Sequence, residues 1–241
     1  MLVKLENPLL LSRAVEIISE LVSEVKLKVN EFGMSITAMD PANVAMVRFK
    51  LPKSAFPQFE TGEEVLGINL DDLKRILKRC GPRSSLILEK KENLLEIEIQ
   101  DRIKRNFSLG LIEIEGEDKE LPNLEYSSLV ELNSIDLIAS IEDCAIVGDA
   151  CSFKIDENKF IIEAKGLNSA RSEFSGDEAK IQAENCKSKY SLEYLQKFIK
   201  ASKLCEKTTL QFANDHPLNM NVKTESMELS FILAPRVETE D

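Results

Sequence analysis

The chain has 241 residues, a net charge of −11, 43% hydrophobic and 30% charged residues, five Cys, one His and no Trp. That length fits one long domain or two of about 120 residues, and the apolar share is enough for a core, which excludes wholesale disorder. The acidic balance excludes a protein that coats nucleic acid through its total charge, although a few cations gathered on one face stay compatible with DNA.

The first predicted element is a helix over 8–22, with Leu10, Ala14, Ile17 and Leu21 at helical spacing beside Leu11, Val15, Ile18 and Val22, and Pro8 in its first turn. Alternating runs then predict half-buried strands at 25–29, 34–39 and 44–51. A second helix over 70–80 turns Leu73, Ile76, Leu77 and Cys80 inward and stops at Gly81-Pro82. Strands follow at 84–90, 94–99 and 107–115. A third helix over 134–147 shows Ile135, Ile138, Ile141 and Ala145 and ends near Gly148. Strands at 152–155 and 159–164 precede a fourth helix over 191–202 with Leu192, Leu195, Phe198 and Ile199, and strands at 208–212 and 228–233 complete the series. Strands outnumber helices, so the fold class is α+β: antiparallel sheets with helices on one face.

The order of elements repeats. Shifted by 126 residues, Asn7 meets Asn133, Val15 meets Ile141, Lys28 meets Lys154, Val29 meets Ile155 and Ala38 meets Ala164. INLDDLKRILKRC at 68–80 parallels YSLEYLQKFIKAS at 190–202, and SFILAP near the end echoes the strand at Phe107–Leu109. Two similar tandem domains are expected, 1–115 and 127–241, joined by the acidic surface linker GEDKELPNLEY at 116–126.

Several chemistries find no support. No apolar run approaches the ~20 residues of a membrane span, and the N-terminal MLVKLENPLLLSRAVEIISELV reads as an amphipathic helix rather than a signal peptide. The five Cys include no C-x-x-C, so reduced cytosolic thiols are expected, with no zinc site and no disulfide framework. The sequon at Asn106 is then chance. His216 sits beside Pro217 with no G-x-S-x-G elsewhere, and neither a Walker loop nor G-x-G-x-x-G appears, so no catalytic residue, cofactor or metal is expected.

The positive charge is unevenly placed. The second helix carries Lys74, Arg75, Lys78 and Arg79, and the region of the fourth carries Lys187, Lys189, Lys197, Lys200 and Lys203 against Glu193. A charged helix face alone reads as solvated surface. Two repeat-equivalent basic helices in an acidic chain also suit a surface for the DNA backbone, without base readout.

GMSITAMDPANVAMV (33–47), LGINLDDLKRILKRC (66–80), IVGDA (146–150), YSLEYLQKFIKAS (190–202) and ILAPRVE (232–238), in that order and with the internal repeat, resemble the PCNA family of replication sliding clamps in its archaeal form, over the full length. The resemblance implies a trimeric ring around duplex DNA. Each chain would give two clamp domains, with helices inside and sheets outside. Such a clamp is not an enzyme. It gives polymerases processivity and docks the clamp loader, ligase and flap nuclease through short peptide motifs. It implies a cytoplasmic, nucleoid-associated protein with no membrane role.

Carried over by position, the DNA-facing cations fall on Arg13, Arg75, Lys78 and Lys200, and the polar faces add Arg79 and Lys197. Ser19 stands where a Lys is frequent, and the third helix carries Glu142 and no Lys or Arg. The partner-peptide groove falls on Met39, Val44, Met46, Leu121, Pro122, Pro217, Ile232, Ala234 and Pro235, a pocket for a helical turn with apolar anchors. Without the resemblance, Met39, Val44 and Met46 read as strand core. The subunit contact falls on two edge strands, one with Lys104, Arg105, Phe107 and Leu109, the other with Arg171, Glu173 and Phe174. A homotrimer is expected. The alternatives are a subunit of a heterotrimer, a checkpoint-type clamp subunit or a protein-interaction scaffold without DNA. An acidic metal enzyme fits poorly, because Asp71-Asp72 and Glu142-Asp143 are adjacent on helices and their side chains diverge.

Overall fold

A computed structural model describes residues 1–236, so the acidic VETED end (237–241) lies outside the described residues. The described chain divides into two units, 1–41 with 47–120 and 225–229, and 42–46 with 121–224 and the residues from 230 on. The short exchanged segments 42–46 and 225–229 depart from a simple cut in sequence.

The first unit runs β1 (Leu2–Leu5), α1 (Leu9–Ile18), β2 (Glu24–Asn30), β3 (Gly33–Met39), β4 (Ala45–Pro52), β5 (Gln58–Glu60), β6 (Glu64–Asn69), α2 (Leu70–Leu77), β7 (Ser85–Lys91), β8 (Leu94–Gln100) and β9 (Lys104–Gly110). Its strands lie in the orders β5-β1-β7-β8-β9 and β4-β3-β2-β6. The second unit runs β10 (Ser128–Asn133), α3 (Ser134–Val147), β11 (Ala150–Asp156), β12 (Lys159–Lys165), β13 (Ser169–Phe174), β14 (Ala179–Ala183), β15 (Cys186–Ser191), α4 (Leu192–Ser202), β16 (Lys207–Phe212), β17 (Leu218–Lys223) and β18 (Glu228–Leu233). Its orders are β14-β10-β16-β17-β18 and β13-β12-β11-β15. Strand for strand the two topologies are the same. A shift of 126 residues carries β2 and β3 onto β11 and β12, and a shift of 122 carries β6 onto β15 and the start of α2 onto the start of α4.

Local chemistry accounts for the boundaries. Asn69 Oδ1 accepts from the backbone N–H of Asp71 (3.0 Å) and Asp72 (3.2 Å), capping α2, and those two acids sit at the positive end of its dipole. Gly33 opens β3 at φ +137°, where a Cβ would lie 2.2 Å from the Leu51 carbonyl oxygen, so only glycine fits. In β2 the alternate residues Val25, Leu27 and Val29 are buried, and in β11 Cys151, Phe153 and Ile155 are buried together with Ala150 and Ser152 at its start. α1 packs on α2, and α3 on α4.

Four expectations need correction. The first helix is shorter than 8–22, because after Ile18 it gives way to a turn in which the Glu20 and Leu21 N–H groups bond three residues back, to Ile17 and Ile18. The second helix ends at Leu77, and its predicted inward residues Ile76 and Cys80 are half-exposed. The strand expected over 107–115 is β9 and stops at Gly110; beyond it the Ile112 N–H donates to the Gly67 oxygen (3.0 Å) instead of continuing the ladder. In α3 the buried face is Leu137, Ser140, Ile141 and Cys144, while Ile135 is 79% exposed.

Candidate nucleic-acid interface and partner groove

In the first unit, Arg13 on α1 and Arg75, Lys78 and Arg79 at and beyond the end of α2 are all exposed. Their charges are partly matched. Arg75 Nη1 lies 3.0 Å from Asp72 Oδ1, and Lys78 Nζ lies 2.7 Å from Glu16 Oε1 on α1. Lys74, which the sequence left unassigned, reaches both Asp71 Oδ1 (2.6 Å) and Ser19 Oγ (3.0 Å). An ammonium group thus stands beside Ser19, supplied by the neighbouring helix. In the second unit, Lys200 is exposed, while Lys197 is half-buried over the Tyr194 ring (5.1 Å) and bonded to Glu193 (3.1 Å). α3 presents Asp136, Glu142 and Asp143 with Ile135 and Ile146 and no cation. Lys78 and Lys200 stand 122 residues apart, as do Arg75 and Lys197, at equivalent helix positions.

All the groove candidates except Met39 fall within the second unit. The Ala234 N–H donates to the Val44 oxygen (2.9 Å), and two residues on, the Arg236 N–H donates to the Lys189 oxygen (2.7 Å). The Tyr190 hydroxyl, next to Lys189, donates to the His216 oxygen (2.7 Å), which fixes the turn that presents Pro217. Val44, Leu121, Pro217, Ala234 and Pro235 are half-exposed and Pro122 is exposed. Met46 and Ile232 are each only 7% exposed. Met39 lies in the first unit, half-exposed at the end of β3. Sequence reasoning passed over Tyr126, whose ring meets that of His216 edge-on at 5.5 Å; burial pushes its hydroxyl up to about 12. The Arg236 guanidinium, 2.8 Å from Asp149 Oδ2, holds that carboxyl below its usual range.

β9 and β13 each close one end of a strand order, so both are edges of their own units. Side chains divide there. Phe107 and Leu109 pair with Ile97 and Leu95 of β8, and Phe174 pairs with Phe160 of β12. Leu109 and Phe174 are buried in their own cores. The accessible groups are Lys104, 2.7 Å from Glu98, and Arg171, 2.9 Å from Glu173, with the backbone edges themselves, while Arg105, ion-paired with Asp101, is half-buried.

The linker expected at 116–126 is part of a longer stretch, 111–127, without helix or strand. Lys28 Nζ grips its Asp118 Oδ2 at 2.7 Å, and Lys26 Nζ takes the Gly116 oxygen at 2.6 Å. The Lys28 bond holds the Asp118 carboxyl below its ordinary value.

Comparison with known proteins bears on both units. Residues 1–120 match the family model of the proliferating cell nuclear antigen N-terminal domain, and residues 120–237 match that of its C-terminal domain. The DNA polymerase sliding clamp of Pyrococcus horikoshii is 36% identical over 242 residues, covering 94% of each chain. DNA polymerase sliding clamp 1 of Thermococcus kodakarensis is 38% identical over 229 residues, covering 91% of this chain and 92% of its own. The crystal structure of proliferating cellular nuclear antigen from Entamoeba histolytica superposes with a TM-score of 0.91 at 25% identity, covering 98% of each chain. With both domain models matched end to end and this fold in both units, the chain belongs to the proliferating cell nuclear antigen (PCNA) family.

Proposed function

We propose that this chain is a DNA sliding clamp that closes as a ring of three copies around duplex DNA, works on the nucleoid in the cytoplasm, and holds replication and repair proteins there without catalysing a reaction. The observation that carries the reading is the repeated basic helix: in a chain of net charge −11, Lys78 and Lys200 are exposed at equivalent positions of two equivalent units. Cations that contact phosphate without reading bases suit a protein that must slide. The ion pairs of this basic surface with Asp72, Glu16 and Glu193 keep each phosphate contact weak and exchangeable.

The edges β9 and β13 support closure between copies by strand pairing, which would leave neither edge exposed. Light scattering of the purified chain tests this directly. A mass of three chains is expected; a stable monomer at micromolar concentration overturns the homotrimer and turns attention to a heterotrimer.

The groove of Val44, Leu121, Pro217, Ala234 and Pro235 receives a helical turn with aliphatic and aromatic anchors, carried by the polymerase, clamp loader, ligase or flap nuclease. Leu121→Ala is expected to weaken a labelled peptide of that kind roughly fivefold, the usual scale for truncating an interface anchor. Fluorescence anisotropy reads it, and unchanged binding removes Leu121 from the groove. Leu121 is the better probe than buried Ile232, whose truncation would also leave a cavity.

A further inference from the structure

The first unit covers one of its own lysine faces. Past β9 the chain turns back over β6: the Ile112 N–H bonds to the Gly67 oxygen, and a Cβ on Gly67 would lie 2.0 Å from the Ile112 oxygen. The following residues cross the outer face of β2, where Lys26 and Lys28 take the Gly116 oxygen and the Asp118 carboxylate. A lysine pair on a sheet face here binds an acidic, extended segment.

The second unit repeats that construction to the same point. The Arg236 N–H bonds to the Lys189 oxygen at 2.7 Å, in the place of Ile112 on Gly67. Lys154 of β11 stands where β2 has Lys28. It pairs in register with Lys187 of β15, and Lys189 pairs with Ser152. The alternate residues Cys151, Phe153 and Ile155, with Cys186 and Tyr190, are buried, so the three lysines share the outer face. Like charges directly opposite each other on a sheet repel unless an anion sits between them. Asp156 lies 2.5 Å from Lys154 and Asp149 lies 2.8 Å from Arg236, and the described chain ends at Arg236, beside this face.

We infer that the face of Lys154, Lys187 and Lys189 is a docking site for an acidic segment of the same partner peptide whose apolar turn enters the groove. This rests on the groove reading above. Ala234 and Pro235 immediately precede Arg236, so groove and lysine face are continuous. A peptide leaving the groove there runs across the lysines as residues 112–118 run across Lys26 and Lys28 in the first unit.

Two fluorescein-labelled peptides test this, with the same aliphatic–aromatic anchor turn and a flank of either three glutamates or three glutamines. At low salt the full chain is expected to bind the acidic peptide roughly two- to fivefold tighter, the scale of a few exposed ion pairs, with the advantage shrinking as salt rises. Lys154→Gln with Lys187→Gln should erase that advantage while leaving the glutamine peptide's affinity unchanged. Equal binding of the two peptides by the full chain overturns the inference and leaves the groove standing. Binding of neither removes both. If discrimination emerges only after Glu238, Glu240 and Asp241 are replaced by glutamine, the inference also falls, because the chain's own end is then the occupant.

Discussion

Phe153→Ala is expected to cost the second unit about 3–5 kcal/mol, the range for truncating a fully buried aromatic. Phe153 is fully buried, with the rings of Tyr190, Phe160 and Phe212 at 5.3, 5.5 and 6.0 Å, mostly edge to face. The three partners come from β15, β12 and β16, so one side chain joins strands from both sheet orders of the unit. Its removal takes away the transfer free energy of the ring, the geometry-dependent ring contacts and the filling of the space between them. Urea unfolding followed by a probe in the second unit should show a lower midpoint at unchanged slope. Phe32→Ala is the control: Phe32 is 76% exposed at the turn between β2 and β3, and its removal should stay within about 0.5 kcal/mol. A cost at Phe153 no larger than that at Phe32 would show that the aromatic cluster does not hold the unit together.

The repeat, the four helices and the fold class were legible because they rest on patterns longer than any single element. The bounds of α3 could be read from the run 134–147 and Gly148 behind it, yet its buried face could not. Ile135 looked like core because it is apolar. The helix instead buries Ser140, whose hydroxyl donates to the Asp136 oxygen at 2.8 Å, so a serine takes a core position without leaving its polar atom unmatched. β15 escaped for the same reason. In CKSKYS the inward residues include Ser188, bonded to the His216 oxygen at 3.1 Å, and no aliphatic alternation marks the strand. The overextension of β9 arose from real alternation in FSLGLIEIE, cut short because Gly67 lets Ile112 approach another strand. At the candidate site the two basic helices were legible from charge and periodicity, whereas Arg13 entered only through the family resemblance. The partners of the cations were not legible, since Glu16 meets Lys78, and Asp118 meets Lys28, only through tertiary packing.

Those partners set the expectation for DNA. Reversal of Arg75, Lys78 and Lys200 to glutamate is expected to abolish retention of duplex DNA near 0.1 M salt, if the chain is the clamp proposed above. Each phosphate that a cation no longer neutralises lowers the slope of log affinity against log salt by about 0.9, so reversing three cations should flatten it by roughly 3. Reversal does more than remove a cation. Lys78→Glu sets a carboxylate against Glu16, now 2.7 Å from the ammonium, and Arg75→Glu does the same to Asp72. The local field that phosphate meets therefore changes sign. Glu16→Gln predicts the opposite: it releases Lys78 from a competitor that DNA must otherwise displace, so retention should rise and persist to higher salt. The two variants together separate a phosphate surface from a solvated helix face. A scaffold without a DNA role would leave retention indifferent to both, whereas a bore that slides on screened contacts must answer to each with opposite sign.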